Sequence, residues 1–387
     1  MQHAWYRQFW RFLQSREAVG VILVAGASAI AMGVIPNLLQ KWWDSAWFYG
    51  LVFFGMLLVV VLGWALVRER GVGVVLSLYP NPQANRVSDL TEASRKNHSS
   101  TLVIDDELLR PGGRELSLDA RMDLLAKLVD ARVEEIKTSG ADGSVTLYPL
   151  AHLYEGFHLG RRLARDTYSS LSVMHLSSTD QQTVVPGLTL GNHLRDPLTP
   201  DQEALLTAHL KQAPGTGGPT LVANPGCPAE YQHRLAFIVR LSFAPSMTAD
   251  ATGVAETGRV RRPSDATHTG YVFTSDNHEA NGNPCGAHAV LEAASARLPE
   301  TKDAEVFEAV ANYTYRCCIA AKQAWAEQSG STNVDVQLFI NAPLPITIAV
   351  GWLMKNDHVT VIRHESSLLN AAAPTGAPPA APAGQLP

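Results

Sequence analysis

The sequence is poor in charge and in cysteine. Charged residues make up 17% of its 387 positions, below the roughly 25% of an average soluble domain. The 31 Lys and Arg residues against 36 Asp and Glu residues give a net charge of −5, which excludes a strongly basic protein that coats nucleic acid. Cys227, Cys285, Cys317 and Cys318 are too few for a disulfide-stabilised scaffold. Because 46% of the residues are nevertheless hydrophobic, the composition indicates apolar segments set into a globular sequence.

Two long uncharged segments lie near the N-terminus, at residues 18–35 and 47–67. A helix needs about 20 apolar residues to cross the roughly 30 Å hydrocarbon core of a bilayer. Trp42 and Trp43 in the connecting segment suit the membrane interface. The sequence therefore predicts a transmembrane helical hairpin over 18–67, preceded by an amphipathic interfacial helix over 1–17. A secretory signal peptide is the alternative for the first segment.

The flanks of this hairpin predict its orientation. Arginines precede the first segment and follow the second, whereas the connecting loop carries only Lys41 as a basic residue. The positive-inside rule then places both termini in the cytoplasm. The body that follows residue 67 is accordingly predicted to be cytoplasmic.

The body alternates between strand and helix patterns. Strands are predicted at 145–148, 171–176, 235–243, 271–274, 334–340 and 358–362, and helices at 151–165, 303–328 and 344–354. Such alternation favours an α/β sheet with crossover helices. Residues 368–387 are rich in Ala and Pro, so they predict a disordered tail.

An internal repeat relates residues 145–160 to residues 336–351 at an offset of 191 residues. Each copy reads as a strand, a turn and a helix with a late glycine, and a further strand follows. The second helix is almost wholly apolar, so we expect it to be the more buried. Ligands of open α/β sheets bind outside the carboxyl ends of the strands, and helix N-termini attract anions. The repeat therefore predicts two pockets that clasp one anionic ligand. Identical pairs are Val145/Val336, Leu147/Leu338, Ala151/Ala342, Leu153/Leu344 and Gly160/Gly351.

The segment LFINAPLPITIAVGWLM at 338–354, with the flanks VDVQ and HVTVIRH, resembles the C-terminal signature of SAVED domains. These domains are fusions of two CARF-like, Rossmann-type units, and some members carry two transmembrane helices ahead of them. The resemblance spans roughly residues 118–364. It implies an α/β fold that follows the transmembrane hairpin. Residues 68–215 would form a linker and the first unit, and residues 216–367 would form the second unit. It does not account for residues 72–111.

The resemblance also implies a function. SAVED proteins sense cyclic oligonucleotides in the bacterial anti-phage systems called CBASS. This chain would then be a receptor and effector without catalysis, cofactor or metal of its own, and a partner nucleotidyltransferase would make its cyclic di-, tri- or tetranucleotide ligand. Ligand binding would drive homo-oligomerisation and disruption of the bacterial inner membrane, which leads to abortive infection.

Ligand-binding residues follow from the resemblance, from the repeat and from charge. The first group has three parts. One is the turn after the penultimate strand, and another is the equivalent turn of the first repeat copy, whose tyrosine could stack on a base. The third is the end of the strand that opens the second unit. Core packing is the alternative for Tyr148 and Phe243. The second group is an arginine cluster that either binds phosphates or stays in solvent. The predicted residues are Tyr148, Pro149, Ser242, Phe243, Asn341, Ala342 and Pro343, together with Arg259, Arg261 and Arg262.

Two other functions stay open at this stage. A membrane-anchored hydrolase or nucleotide-processing enzyme would have its site in the 276–288 loop, although the His, Cys, Asp and Glu spacing there matches no zinc pattern. The sequence also has no P-loop and no GxSxG nucleophile elbow. The third possibility is a membrane scaffold that recruits another protein.

Overall fold

A computed structural model of the chain describes residues 69–79, 84–110, 113, 116–138, 144–163, 170–177, 183–258, 271–274, 283–299 and 304–366, with five further positions between 54 and 61. The predicted interfacial helix, the first predicted span, most of the second and the Ala/Pro-rich tail lie outside these residues. The described positions of the second span are helical, and Phe54, Leu58 and Val61 among them are more than half exposed. Within the described ranges, no helix has the length and hydropathy of a membrane span.

The first unit is a five-stranded α/β sheet. The strand order is β2-β1-β3-β4-β5, with β1 to β4 parallel and β5 antiparallel to β4. In this doubly wound order the ligand crevice opens where the chain switches sides, between β1 and β3. The elements are β1 (Glu69–Ser77), α1 (Ala84–Asn97), β2 (His98–Asp105), α2 (Leu118–Thr138), β3 (Val145–Leu150), α3 (Leu153–Arg162), β4 (Leu171–Leu176) and β5 (Val184–Leu190).

The second unit repeats this plan and follows a connecting helix. Its strand order is β6-β9-β7-β10-β11-β8, in which β9, β7, β10 and β11 are parallel and β6 and β8 are antiparallel edges. The elements are α4 (Pro200–His209), β6 (Leu221–Ala223), β7 (Arg234–Arg240), α5 (Met247–Thr257), β8 (Tyr271–Thr274), β9 (Ala287–Glu292), α6 (Ala304–Ser329), β10 (Asp335–Asn341), α7 (Leu344–Leu353) and β11 (Val359–Ser366).

The predicted α/β body and its internal repeat are confirmed. The first copy folds as β3-α3-β4 and the second as β10-α7-β11, and each pair of strands is parallel. In spatial order, the strands β2, β1, β3, β4 and β5 of the first sheet correspond to β9, β7, β10, β11 and β8 of the second sheet, respectively. One connection differs, because β5 directly follows β4 in the chain whereas β8 lies between α5 and β9.

Helices α3 and α7 cross the junction of the two units and pack directly on each other. A Cβ atom on Gly160 would fall closer than 3.0 Å to the backbone carbonyl of Ile348, and one on Gly351 equally close to the carbonyl of Phe157. These contacts are reciprocal, since Phe157 and Ile348 are themselves equivalent in the repeat. Gly156 faces Leu344 near the start of α7 and Gly160 faces Trp352 near its end, so the two helices run in the same direction.

Burial differs between the two helices as the sequence predicts. Residues 345–353 of α7 are all buried, whereas α3 buries one face. Because the apolar side chains of both helices and of one face of each sheet belong to one contiguous core cluster, removal of water from this shared surface holds the units together.

Helix α6 ties the connecting segment to both units. Tyr313 donates a hydrogen bond to the carbonyl of Gln212 at 2.8 Å, and Asn312 donates one to the carbonyl of Asp196 at 2.9 Å. Glu308 accepts from the backbone N–H of Thr189 in β5 at 2.9 Å. These bonds anchor the edge of the first sheet on a helix of the second unit.

The glycine contacts give a prediction about stability. We expect Gly160→Ala and Gly351→Ala each to lower the free energy of unfolding by about 3 kcal/mol, because the new methyl group forces two helix backbones apart. The matched control is Gly253→Ala on α5, where a Cβ meets nothing within 4 Å. That variant should gain up to about 1 kcal/mol from helix propensity. Chemical denaturation measures all three, and equal effects would contradict the close helix contact.

Candidate functional site

A cleft of about 170 Å³ opens where the two units meet. The first unit contributes Tyr79, which follows β1, and residues 151–154, which follow β3. The second unit contributes Ile340 from the end of β10, and Val361, Ile362 and Arg363 from β11. The β1/β3 crevice of the first unit, where doubly wound sheets bind ligands, is therefore closed on one side by the second unit.

Three aromatic rings and one guanidinium group give the cleft its chemical character. The ring centroids of Tyr79 and His152 are 4.3 Å apart. Those of His152 and Tyr154 are 5.6 Å apart, with the two planes only 19° from parallel. The Cζ atom of Arg363 lies 4.8 Å from the centroid of Tyr154, within the range of a cation–π contact. Flat π surfaces beside a cation are what a nucleobase and its phosphate would need.

A buried carboxylate lies at the first turn of α3, beside this cluster. Glu155 is 1% exposed and accepts a hydrogen bond from the backbone N–H of His152 at 2.9 Å. Arg121 of α2 donates to the same carboxylate and also lies 3.7 Å from Asp106. Burial raises the pKa of Glu155, and the bonds from His152 and Arg121 oppose that rise without cancelling it.

The ring hydroxyl of Tyr79 is held in its neutral form. Burial is the main cause that raises its pKa, and the negative charge of Glu155 adds to it. Tyr79 therefore enters the cleft as an uncharged ring with a hydroxyl that can donate or accept a hydrogen bond.

The N-termini of α3 and α7 do not form the two open anion-binding pockets that the repeat predicts. They lie on the same side of the molecule because α3 and α7 are parallel, but Glu155 already caps α3. At the start of α7, Pro343 and Pro345 carry no N–H group. Among the residues that line the cleft, Arg363 is therefore the cationic group available to an anion, and a matched pair of free helix ends is not present there.

The predicted residues of the second unit are brought together at the switch point between β7 and β10. The backbone N–H groups of Leu241 and Ser242 both donate to the carbonyl of Asn341, at 2.7 and 3.1 Å. Phe243 is 66% exposed, so the core-packing alternative does not apply to it. Asn341 and Ala342 are buried, and Pro343 caps α7.

The predicted residues of the first unit belong to the core instead. Tyr148 is fully buried beside Val75 and Leu90, and its hydroxyl lies 3.0 Å from Nε2 of His98. Its ring cannot reach a base, so the prediction of stacking is wrong and core packing is the correct alternative. Pro149 is likewise buried in β3, in register with Leu76 of β1.

The arginine cluster of Arg259, Arg261 and Arg262 lies outside the described residues, and so does the 276–282 part of the loop considered for an enzyme. Cys285 and His288 of that loop are described and buried. Burial raises the pKa of Cys285 to about 12, which leaves a thiol rather than a nucleophilic thiolate at neutral pH. In the described part of the chain, no group of His, Cys, Asp or Glu side chains is arranged to hold a metal ion.

Sequence reasoning missed Tyr79, His152, Tyr154 and Arg363. His152 and Tyr154 fall within the first repeat copy, and Arg363 within the quoted HVTVIRH flank. The 191-residue repeat does not reach Tyr79, and its place follows from the structure: Leu78 donates to the carbonyl of Leu150 as Leu241 does to that of Asn341. Tyr79 is therefore the counterpart of Ser242.

Comparisons with known proteins add the following findings. Neither the protein-family models nor the curated proteins contain a match. Among solved structures, the chain is similar to the Acinetobacter baumannii Cap4 SAVED/CARF-domain containing receptor with the cyclic trinucleotide 3′3′3′-cAAA, at a TM-score of 0.36 and 9% identity over 80% of this chain and 52% of that one. The same receptor with 2′3′3′-cAAA gives a TM-score of 0.35 at 10% identity, again over 80% and 52%. A third structure of the receptor gives 0.33 at 10% identity, over 80% of this chain and 50% of that one. The aligned part thus spans about half the length of these receptors.

The raised pKa of Glu155 gives a prediction about pH. Because the folded protein holds this proton more tightly than the unfolded chain, the group stabilises the fold increasingly as the pH falls toward the ordinary glutamate pKa. We expect wild type to gain unfolding free energy relative to Glu155→Gln as the pH falls from about 7.5 to about 5. Thermal denaturation across that range measures the difference. A relative loss by wild type on acidification would show that Arg121 outweighs burial.

Proposed function

We propose that this chain is a membrane-anchored receptor that binds a cyclic oligonucleotide in the cleft between its two units. Binding drives homo-oligomerisation, and the assembled hairpins disrupt the inner membrane, which causes abortive infection in anti-phage defence. A separate cyclic-nucleotide synthase supplies the ligand, and the chain itself performs no catalysis. The sequence resemblance to SAVED domains and the duplicated α/β body support this function.

The observation that carries the proposal is the cluster of Tyr79, His152, Tyr154 and Arg363 at the junction of the two units. Base stacking on an aromatic side chain contributes about 1–3 kcal/mol per base. A guanidinium group adds a charged hydrogen bond to a phosphate, worth about 1.5–3 kcal/mol. One nucleotide can therefore engage both units at once.

The size of the cleft favours a ligand that is only partly enclosed. Its 170 Å³ is below the roughly 300–1,000 Å³ of pockets that surround a whole small molecule. One base fills it, and the rest of a cyclic di- or trinucleotide lies across the mouth, where a second copy of the chain can contact it. Moving assembly from 1:99 to 99:1 takes about 5.5 kcal/mol of differential binding, which two or three charged contacts supply.

The position of β1 supports coupling to the predicted hairpin. The second apolar segment ends at residue 67, and β1 begins at Glu69 and pairs with both β2 and β3 in the first sheet. With one residue between span and sheet, a rearrangement of the bodies on assembly would be passed directly to the hairpin.

The test is ligand binding to the full chain in detergent, measured by calorimetry with 3′3′3′-cAAA and a panel of cyclic dinucleotides. We expect Tyr154→Ala to weaken binding about tenfold or more through lost stacking, and Arg363→Gln to do so through the lost charge. The matched control is Tyr231→Ala, which disrupts a second Tyr–Arg contact, 6.0 Å from Arg234, outside the cleft.

The same proteins reconstituted into dye-filled liposomes test the effector step. The ligand that binds should release the dye from vesicles carrying wild type and Tyr231→Ala, but not from those carrying Arg363→Gln. No binding by any cyclic oligonucleotide would refute the receptor function. Binding without dye release would refute the membrane step alone.

A further inference from the structure

A second and larger cavity lies on the first unit, between α1 and the edge strand β2. It has a volume of about 650 Å³ and shares no lining residue with the cleft. Val87 and Val103 form an apolar wall, and the polar groups come from Ser77, Ser88, Thr91, Glu92, Arg95 and Asp105. This volume lies within the roughly 300–1,000 Å³ of small-molecule sites.

Ser77 supplies an unused polar group to this cavity. It is 1% exposed, and its hydroxyl has no hydrogen-bond partner among the residues that the structure describes. A buried hydroxyl without a partner destabilises the fold, because it has lost its hydrogen bonds to water. A ligand that bonds to it replaces them.

Asp105 lies beside Ser77 on the neighbouring strand. The two residues are register partners at the carboxyl ends of β1 and β2. Oδ1 of Asp105 accepts the backbone N–H of Leu108 at 2.9 Å, which fixes the carboxylate and leaves Oδ2 to accept from a ligand. In the dinucleotide-binding members of the doubly wound folds, an acidic side chain accepts a hydrogen bond from a ribose hydroxyl.

The charge of the lining points away from a phosphorylated ligand. Glu92 and Asp105 are negative and Arg95 alone is positive, so the cavity has an excess of negative charge that would repel a phosphate. A molecule with a flat apolar part, neighbouring hydroxyls and no negative charge fits the valine wall, the free hydroxyl and the carboxylate together.

We propose that this cavity is a second ligand site, which takes an unphosphorylated ribonucleoside. The ribose hydroxyls donate to Asp105, Ser77 bonds to the same sugar, and the base packs on Val87 and Val103. This site is independent of the cyclic oligonucleotide site in the cleft.

Calorimetry on the full chain in detergent tests the site with adenosine, guanosine, cytidine and uridine as probes. We expect at least one of them to bind, and its 2′,3′-dideoxy analogue and its 5′-monophosphate to bind at least tenfold more weakly. Ser77→Ala should weaken binding about three- to tenfold, and Asp105→Asn, which keeps the acceptor for Leu108, at least tenfold. Ser172→Ala on β4 is the matched serine control and should bind as wild type does.

Several outcomes would overturn the proposal. These are no binding by any of the four nucleosides, tighter binding of the monophosphate, or binding that survives filling of the cavity by Val103→Phe.

Thermal denaturation of Ser77→Ala adds a check that needs no ligand. Loss of an unpaired hydroxyl should leave the melting temperature unchanged or raise it, and a lower one would mean that Ser77 already has a partner. Cyclic oligonucleotide binding by the Ser77 and Asp105 variants should equal that of wild type, which separates the two sites.

Discussion

The reciprocal contact of α3 and α7 is the constraint on which the body of this protein depends. Gly160 and Gly351 let each helix backbone approach a carbonyl group of the other, and any side chain there would separate the units. Because this contact fixes both the spacing and the register of the helices, it also fixes where the start of α3 meets β11. The cleft at the junction is thus a product of helix packing, and its lining comes from elements that are distant in the chain.

Duplication of the fold has not kept the chemistry equal. At equivalent positions, the first unit carries Tyr79, His152 and Tyr154 where the second carries Ser242, Pro343 and Pro345. The buried Glu155 corresponds to Ile346 inside the apolar α7. One unit therefore supplies rings and an ionisable group, while the other supplies the packing surface and Arg363.

Sequence patterns predicted the alternation of the fold, the repeat and the burial of α7, because those depend on local periodicity and on glycine. The bounds of β4 and β8 were predicted as the structure has them. The 72–111 region was left unassigned, since α1 is largely polar and offers little apolar periodicity from which to predict it. Tyr148 was misassigned because every residue of β3 is buried, so alternation could not indicate a face. The contact of Arg363 with Tyr154 depends on how two sheets meet, which no local pattern encodes.

The unequal halves of the cleft have a statistical consequence for any ring-shaped ligand with internal rotational symmetry. Each identical segment of such a ring can occupy the aromatic side in turn, so a ring of two equal segments has two indistinguishable poses and one of three has three. This degeneracy favours the bound state by RT ln n, about 0.4 kcal/mol for two poses and about 0.65 kcal/mol for three. A ring that mixes different bases forfeits that advantage and must recover it through selectivity at Tyr79 and Tyr154.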